Sequence, residues 1–498
     1  MIPASHPLLS CDEAKRFETK RFGGDEAKEW PAMLQAGHAV ASAVLVDFEE
    51  IGGFPTAGRL LVLAGKGHNG GDALLATEAI LGRFPGARAD VLFVFGGRGL
   101  RPLAAQAYRA LAQSAGQRLR VVTADGLAAG YDLCLDGVFG FQFRPPVAAS
   151  VSALLARVNM LPIRLRAAVD LPSAGKFRAD FTYATGSVKV PVLTDKLAGR
   201  VRYLDLGFFT GDERGTDRVL TPAVLTPLAG LRSPSSDKRS QGHLLVMGGS
   251  RSYPGAVLMS VLAALRSGAG LVTAFVPKSL APVFAARAPE AMWVGCPETA
   301  EGGLAMESRH LVKARLGRAQ AMVLGPGLGR ESETMALASE LVRSLRLPVL
   351  LDADALQPEI VREAEMPLVL TPHAGEYARI AAKAALRTYC RNHHSVVALK
   401  GPVTRISDGS AEYYSFHGGP VLARGGSGDI LAGLIGGLLA QTPREPLLAA
   451  ARGVVWHGMA ADLLARAHGQ VPVQTTELLD YLPGALRASL AGPTADRS

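Results

Sequence analysis

Residues 423–440, ARGGSGDILAGLIGGLLA, run a glycine-rich turn directly into an apolar helical stretch that carries Asp429 in its first turn. Such a turn exposes backbone N–H groups beside the positive end of a helix, where phosphate oxygens are held. Taken alone, the segment reads equally well as a glycine-rich helix start with Asp429 as a dipole-favoured cap. Its surroundings shift the balance. Upstream lie 325–329 GPGLG, 351–356 LDADAL, 371–376 TPHAGE and 399–404 LKGPVT, each at the end of a short apolar run. The runs 242–249, 271–277, 321–326, 348–354, 368–373 and 396–401 have strand length and are separated by alanine-rich helical stretches. This alternation predicts an α/β domain whose ligand loops gather at the carboxyl ends of the strands. Any one loop reads as an ordinary strand-to-helix turn, and for Asp352 or Asp354 alone a capping carboxylate is the plainer reading.

The same rhythm fills the N-terminal half, with apolar runs at 59–65 RLLVLAG, 89–96 ADVLFVFG, 131–139 YDLCLDGVF and 166–172 RAAVDLP. It predicts a second parallel sheet with crossover helices. Between the halves, 222–242 PAVLTPLAGLRSPSSDKRSQG is rich in proline, serine and charge. The expected organisation is one domain over 1–222, a linker over 223–241, a second domain over 242–490 and a frayed tail over 491–498. The halves share no residue-level repeat.

A chain of 498 residues with 48% hydrophobic, 19% charged and 6% aromatic residues is long enough for two such cores and too apolar to be disordered. The net charge of +9 suits an anionic partner. Lysine and arginine occur singly or as isolated pairs such as Lys238-Arg239, with no basic run interleaved with aromatics, which argues against nucleic acid. The four cysteines, Cys11, Cys134, Cys296 and Cys390, are too dispersed for a zinc site or a disulfide framework and read as free thiols in a reducing compartment. The N-terminus meets charge too early for a signal peptide, and charge breaks every longer apolar stretch. A cytoplasmic protein without a membrane partner is expected. The sequence leaves homo-oligomerisation open.

In order, Lys238, 242–250 GHLLVMGGS, 253–256 YPGA, 264–273 ALRSGAGLVT, GPGLG, LDADAL, TPHAGE, KGPVT and GGSGD resemble the NAD(P)H-hydrate dehydratases of the ribokinase-like superfamily, over residues 236–485. The family's usual proline is Ala374 here, and its usual threonine is Ser427. The resemblance implies a nucleotide-dependent dehydration of the S hydrate of NADH or NADPH, with ADP or ATP as co-substrate together with Mg2+. It implies that Asp429 is the base that activates the hydroxyl for phosphorylation. Ala256, Gly327 and His373 would contact the hydrate. Lys400, Gly401, Pro402, Val403 and Thr404 would hold the nucleotide, with Gly426, Ser427 and Gly428 at its transferring phosphoryl group. By its residue type alone, His373 is more simply a satisfied, partly buried histidine.

In the N-terminal half, 63–80 LAGKGHNGGDALLATEAI follows a strand and opens a helix, without the dinucleotide spacing GxGxxG. With 33–37 MLQAG, 135–146 LDGVFGFQFRPP and 168–175 AVDLPSAG, it resembles the Rossmann-like NAD(P)H-hydrate epimerases. The resemblance implies that His68, Asn69, Gly70, Gly71 and Asp72, with Gly140, Phe141, Gln142, Phe143, Arg144, Pro145 and Pro146, wrap the dinucleotide. Asn69, Asp136 and Ser173 would hold a potassium ion, for which oxygen ligands are suited. Asp170 would be the acid/base at carbon 6 of the hydrated ring, with Lys189 as its electrostatic partner. His68, Ala73 and Ala174 depart from the family pattern, the last two replacing glycine. The competing function is a small-metabolite kinase of the same superfamily with a non-catalytic N-terminal binding domain.

Overall fold

Leu60, Val62 and Ala64 point to one side of a central strand and Leu61 and Leu63 to the other, and both sets are buried in separate hydrophobic clusters. A strand buried on both faces needs helices on both faces, which is the parallel doubly wound arrangement. In the computed structural model, which describes residues 2–211 and 213–490, this strand, Arg59–Ala64, lies in a seven-stranded sheet. The spatial order is Leu119–Val121, Arg88–Phe93, Arg59–Ala64, Tyr131–Gly137, Ile163–Val169, Phe181–Thr185 and Arg200–Leu204. All neighbours pair in parallel. The chain order reverses between Arg59–Ala64 and Tyr131–Gly137, and such a switch point opens a crevice at the carboxyl ends of the strands. The helices Glu26–Phe48 and His68–Arg83 pack closely, because a Cβ on Gly37 would stand 2.5 Å from the Leu75 Cβ.

The second sheet has eleven strands, in the order Ser5–Pro7, Asp217–Leu220, Glu412–Ser415, Thr404–Ser407, Val396–Leu399, Leu368–Leu370, Val349–Leu351, Ala321–Leu324, His243–Met247, Leu271–Pro277 and Met292–Cys296. From Val396–Leu399 to Met292–Cys296 the pairing is parallel. Its switch point lies between His243–Met247 and Ala321–Leu324. The helix Ser427–Gln441 covers these two strands and is buried almost all round, as its alanine, glycine and leucine content requires. The helix Pro446–His468 is long and apolar enough to cross a membrane, but 72% of its most apolar window is buried within the fold, which makes it a core helix.

The chain divides at 214/215, eight residues before the expected end of the first domain at 222. The first unit comprises His6–Arg214 with Ala465–Gln470, and the second holds residues 2–5, Gly215–Leu464 and 471–490. The strand Asp217–Leu220 belongs to the second sheet, with Asp217 opposite Glu412. Val219, Leu220, Val224 and Leu225 are buried, so the first part of the expected linker is packed chain; residues 230–240 are the exposed stretch. Four apolar side chains within seven residues supply the reason. The expected tail over 491–498 lies outside the described residues.

Candidate active sites

In the second unit, the strand ends bring a set of charged groups together. Asp352 directly follows the strand Val349–Leu351, where it is buried and accepts hydrogen bonds from Thr371 Oγ1 at 2.7 Å and Lys400 Nζ at 3.0 Å. Its side chain makes no capping hydrogen bond to the short turn that follows, so Asp352 is an ion-paired core carboxylate. Asp354, in contrast, accepts from Gly329 N at 3.1 Å and pairs with Arg330 at 3.0 Å, tying the GPGLG loop down. Lys400 also lies 4.0 Å from Glu376. Burial opposes its charge, but Asp352 and Glu376 outweigh this and hold its pKa above the ordinary lysine range.

Asp429 sits in the first turn of Ser427–Gln441, behind Gly426 in a left-handed conformation at φ 92° that favours glycine. Burial, reinforced by the Asp352 charge and opposed by Lys400, pushes the Asp429 carboxyl up to about 7. A Cβ on Gly428 would stand 3.1 Å from Lys400 Nζ, so the glycine turn and the ammonium are in contact. Ser427 donates its hydroxyl to Leu422 O at 2.7 Å, which holds the turn closed. Buried His457, pushed down to about 4 by burial, is a further group near Ser427 and Lys400 that belongs to no sequence motif.

His373 caps the helix Ala374–Ala381: its Nδ1 accepts from Gly375 N at 3.0 Å and Glu376 N at 3.4 Å. That leaves Nε2 as the N–H, 3.5 Å from Glu376 Oε1, on a side chain that is still 62% exposed. Gly327, at φ 63°, lies against Ala256, whose Cβ would be 3.0 Å from a Cβ on the glycine. Gly401 and Pro402 are exposed and Val403 and Thr404 half-buried, on the turn that leads into Thr404–Ser407.

In the first unit, Asp170 is buried at the end of Ile163–Val169 with φ 68°, a conformation aspartate tolerates better than most residues. Lys189 Nζ donates to Asp170 Oδ1 at 2.5 Å and to Thr185 O at 3.2 Å, and Phe141 N donates to Asp170 Oδ2 at 3.3 Å. Lys189 is 1% exposed, which excludes a solvated face, and Asp170 is no helix cap. Gly70, Gly71 and Asp72 are buried in the helix His68–Arg83, whereas His68 is exposed and faces Glu29 at 3.3 Å. Burial, with Asp170 and Glu18 adding, holds the Asp72 carboxyl well above its usual range. In the loop, Phe141 is buried, Gly140 and Phe143 are half-buried, and Gln142, Arg144, Pro145 and Pro146 are exposed.

Asp136, Ser173 and Asn69 share one hydrogen-bond network. Ser173 donates to Asp136 through Oγ at 2.6 Å and N at 2.8 Å, Phe139 N donates to Ser173 Oγ at 2.9 Å, and Asn69 Nδ2 donates to Val169 O at 2.8 Å and Phe139 O at 3.3 Å. Burial raises Asp136 to about 6, against the hydrogen bonds from Ser173 and Val138. Among the described residues, no lysine or arginine pairs with this carboxylate. Amide, hydroxyl, carboxylate and carbonyl oxygens around one uncompensated buried charge fit a monovalent cation.

Residues 244–484 match the NAD(P)H-hydrate dehydratase family model, and residues 31–189 match that of the YjeF-related protein N-terminus. The bifunctional NAD(P)H-hydrate repair enzyme of Gloeobacter violaceus is 36% identical over 96% of this chain and 97% of its own. That of Escherichia coli is 30% identical over 100% of this chain and 97% of its own. Among solved structures, the ADP/ATP-dependent NAD(P)H-hydrate dehydratase of Bacillus subtilis, co-crystallised with ATP and Mg2+, is 28% identical, covering 54% of this chain and 97% of that one at a TM-score of 0.46. With both family models matched in order and full-length relatives of 30% identity or more, this chain belongs to the bifunctional NAD(P)H-hydrate repair enzymes.

Proposed function

We propose that the first unit interconverts the R and S hydrates of NADH and NADPH at carbon 6, and that the second dehydrates the S form at the expense of ADP or ATP. The observation that carries the second assignment is Asp429, a carboxyl raised to about 7 at the amino end of a helix, beside the Lys400–Asp352 pair. Asp429 takes the proton of the ring hydroxyl, whose oxygen then attacks the terminal phosphoryl group of the nucleotide. The amides of Gly426, Ser427 and Gly428 receive the charge on the transferring group, with Lys400 behind them. The hydroxyl has become phosphate, a far better leaving group. The ring nitrogen pushes phosphate out, one proton leaves carbon 5, and the reduced nicotinamide is restored with AMP and phosphate from ADP, or ADP and phosphate from ATP.

Among the described residues, no three carboxylate, histidine or cysteine side chains stand close enough for a ready-made metal site. Magnesium entering with the nucleotide would be held chiefly by phosphate oxygens, as is usual for this ion, and would supply positive charge at the transferring phosphoryl group, with Asp352, Asp354 and Glu376 as the nearby carboxylates. In the first unit, Asp170 exchanges the proton at the hydroxyl and Lys189 steadies its charge. A potassium ion at Asn69, Asp136 and Ser173 would supply positive charge beside the dinucleotide loop. Incubation with separate R and S hydrates, with and without ADP, tests both activities through the return of nicotinamide absorbance. Release of inorganic phosphate supports the repair reaction, whereas a stable phosphorylated product would establish the kinase instead. The free thiols of Cys11, Cys134, Cys296 and Cys390 fit a cytoplasmic enzyme.

A further inference from the structure

The helix Cys11–Phe22 precedes residue 31, where the match to the YjeF-related N-terminus begins. It is fixed at both ends, by a capping box of Ser10 and Glu13 and by Gly23 in a left-handed conformation. Leu9 is bridged to Lys189, with Leu9 N donating to Val188 O at 3.0 Å and Val190 N to Leu9 O at 2.8 Å, and Asp12 pairs with Arg144 at 2.8 Å. The helix is thereby held between the Lys189 segment and the dinucleotide loop. Cys11, Ala14 and Glu18, spaced three and four residues apart, share its inward face. Cys11 feels the charges of Asp170, Arg144 and Lys189, and seven residues further on Glu18 feels Lys189 and Asp170 as well.

The Glu18 side chain makes no hydrogen bond or ion pair with any described residue. The Asp72 side chain, on a residue 7% exposed, has no hydrogen-bond partner among them either, and it lies within the fields of Asp170, Glu18 and Lys189. Asp170 pairs with Lys189, and buried Asp72 and half-buried Glu18 both lie within reach of those two charges. Lys189 is committed to Asp170, so the other two carboxyls favour keeping their protons. Burial pushes Glu18 up to about 7, with Lys189 opposing and Asp170 and Glu29 adding.

We propose that Glu18 is the second proton-transfer group of the epimerase site, serving the ring nitrogen while Asp170 serves the hydroxyl. This rests on the reading of the first unit as an epimerase. Asp170 removes the hydroxyl proton, the bond between carbon 6 and the ring nitrogen breaks with its electron pair going to nitrogen, and Glu18 protonates that nitrogen. The product is an open-chain aldehyde with an N–H amine. After rotation about the bond between carbons 5 and 6, the nitrogen adds to the opposite face, Glu18 takes its proton back and Asp170 returns the other to oxygen. No oxidant, reductant or water is consumed. One carboxyl must accept a proton and the other give one, and the Lys189 ammonium beside Asp170 and the raised Glu18 carboxyl divide the roles in that sense.

The test is the rate at which the full-length protein converts pure R hydrate to S hydrate without nucleotide, followed by chromatographic separation of the epimers across pH 5.5–8.5, the window of about 1.5 pH units either side of the Glu18 value. Glu18→Gln is expected to lower the rate about 100-fold or more. The wild-type rate should fall as pH rises through about 7 and Glu18 loses its proton; this limb should be missing in Glu18→Gln and present in Glu18→Asp, which should recover part of the rate. Thermal unfolding of each variant separates loss of chemistry from loss of fold. A Glu18→Gln protein with more than a third of the wild-type rate and the same pH profile overturns the proposal while leaving the epimerase reading intact. A wild-type protein no faster than the spontaneous rate overturns both.

Discussion

Lys400 Nζ stands 3.0 Å from Asp352 Oδ1, and both charges act on Asp429 in opposite directions. Asp352 raises the Asp429 pKa and Lys400 lowers it. A base works when ionised, so dehydration should be present above about 7 and be lost as pH falls through that value. Asp352→Asn removes a raising charge and should move this acid limb to lower pH; Lys400→Met removes the lowering charge and should move it to higher pH. The pH dependence of kcat/KM measures both, and shifts in the same direction would refute the arrangement.

Asp429→Asn keeps the shape of the helix start and its backbone donors but removes the base. Dehydration of S hydrate should fall about 100- to 10,000-fold. ADP binding, measured by calorimetry, should change little. A variant with more than half of the wild-type rate would remove Asp429 from the mechanism.

The strands most legible in the sequence are those buried on both faces, such as Arg59–Ala64 and His243–Met247, because their apolar runs are continuous. Phe181–Thr185, Thr404–Ser407 and Glu412–Ser415 mix polar residues into short strands and escape that reading. Asp217–Leu220 escapes it for another reason: its partner strand, Glu412–Ser415, is remote in the chain, so a local pattern cannot report the pairing. The candidate site is legible where loops carry glycine and carboxylate together. Asp352 reads as a cap because its ion-pair partner Lys400 is 48 residues away. Glu18 belongs to no motif, and only the folding of its helix against Lys189 gives it a role.

Ala174 occupies φ 56° and ψ 18°, a left-handed conformation that favours glycine. An L-residue there costs about 1–2 kcal/mol, and glycine forfeits part of that difference through its larger unfolded-state entropy. Ala174→Gly should therefore stabilise the first unit by about 0.5–1 kcal/mol. Denaturant unfolding checks this, and a destabilised variant would show that the Ala174 methyl makes compensating contacts.

The revised boundary changes where the chain can be cut. A fragment beginning at 236 loses Val219, Leu220, Val224 and Leu225, each less than 4% exposed. At about 1.5–3 kcal/mol per buried side chain, the loss is roughly 6–12 kcal/mol, as large as the whole stability of many domains. It also uncovers the edge of Glu412–Ser415. Residues 215–498, which lack the edge strand Ser5–Pro7 of the same sheet, should still be soluble and dehydrate S hydrate, whereas residues 236–498 should aggregate or unfold at a lower denaturant concentration. Equal stability of the two fragments would contradict the packing of Asp217–Leu220.

Asp170→Ala tests the first unit without touching the second. Asp170 is buried, paired with Lys189 at 2.5 Å and held in a left-handed conformation, three features a mere turn residue does not need. Removing one partner of a buried ion pair costs about 3–5 kcal/mol, so the variant should unfold earlier, and Asp170→Asn, which keeps the hydrogen-bonding shape, serves as its companion. Supplied with pure R hydrate and ADP, the wild type should restore all the nicotinamide absorbance, because epimerisation feeds the dehydratase. Both variants should restore only what spontaneous epimerisation delivers, yet dehydrate S hydrate at the wild-type rate. If wild type and variants recover R hydrate equally fast, Asp170 carries no proton in this reaction. A wild type that is also no faster than the spontaneous rate would make the first unit a binding module whose buried pair serves the fold alone.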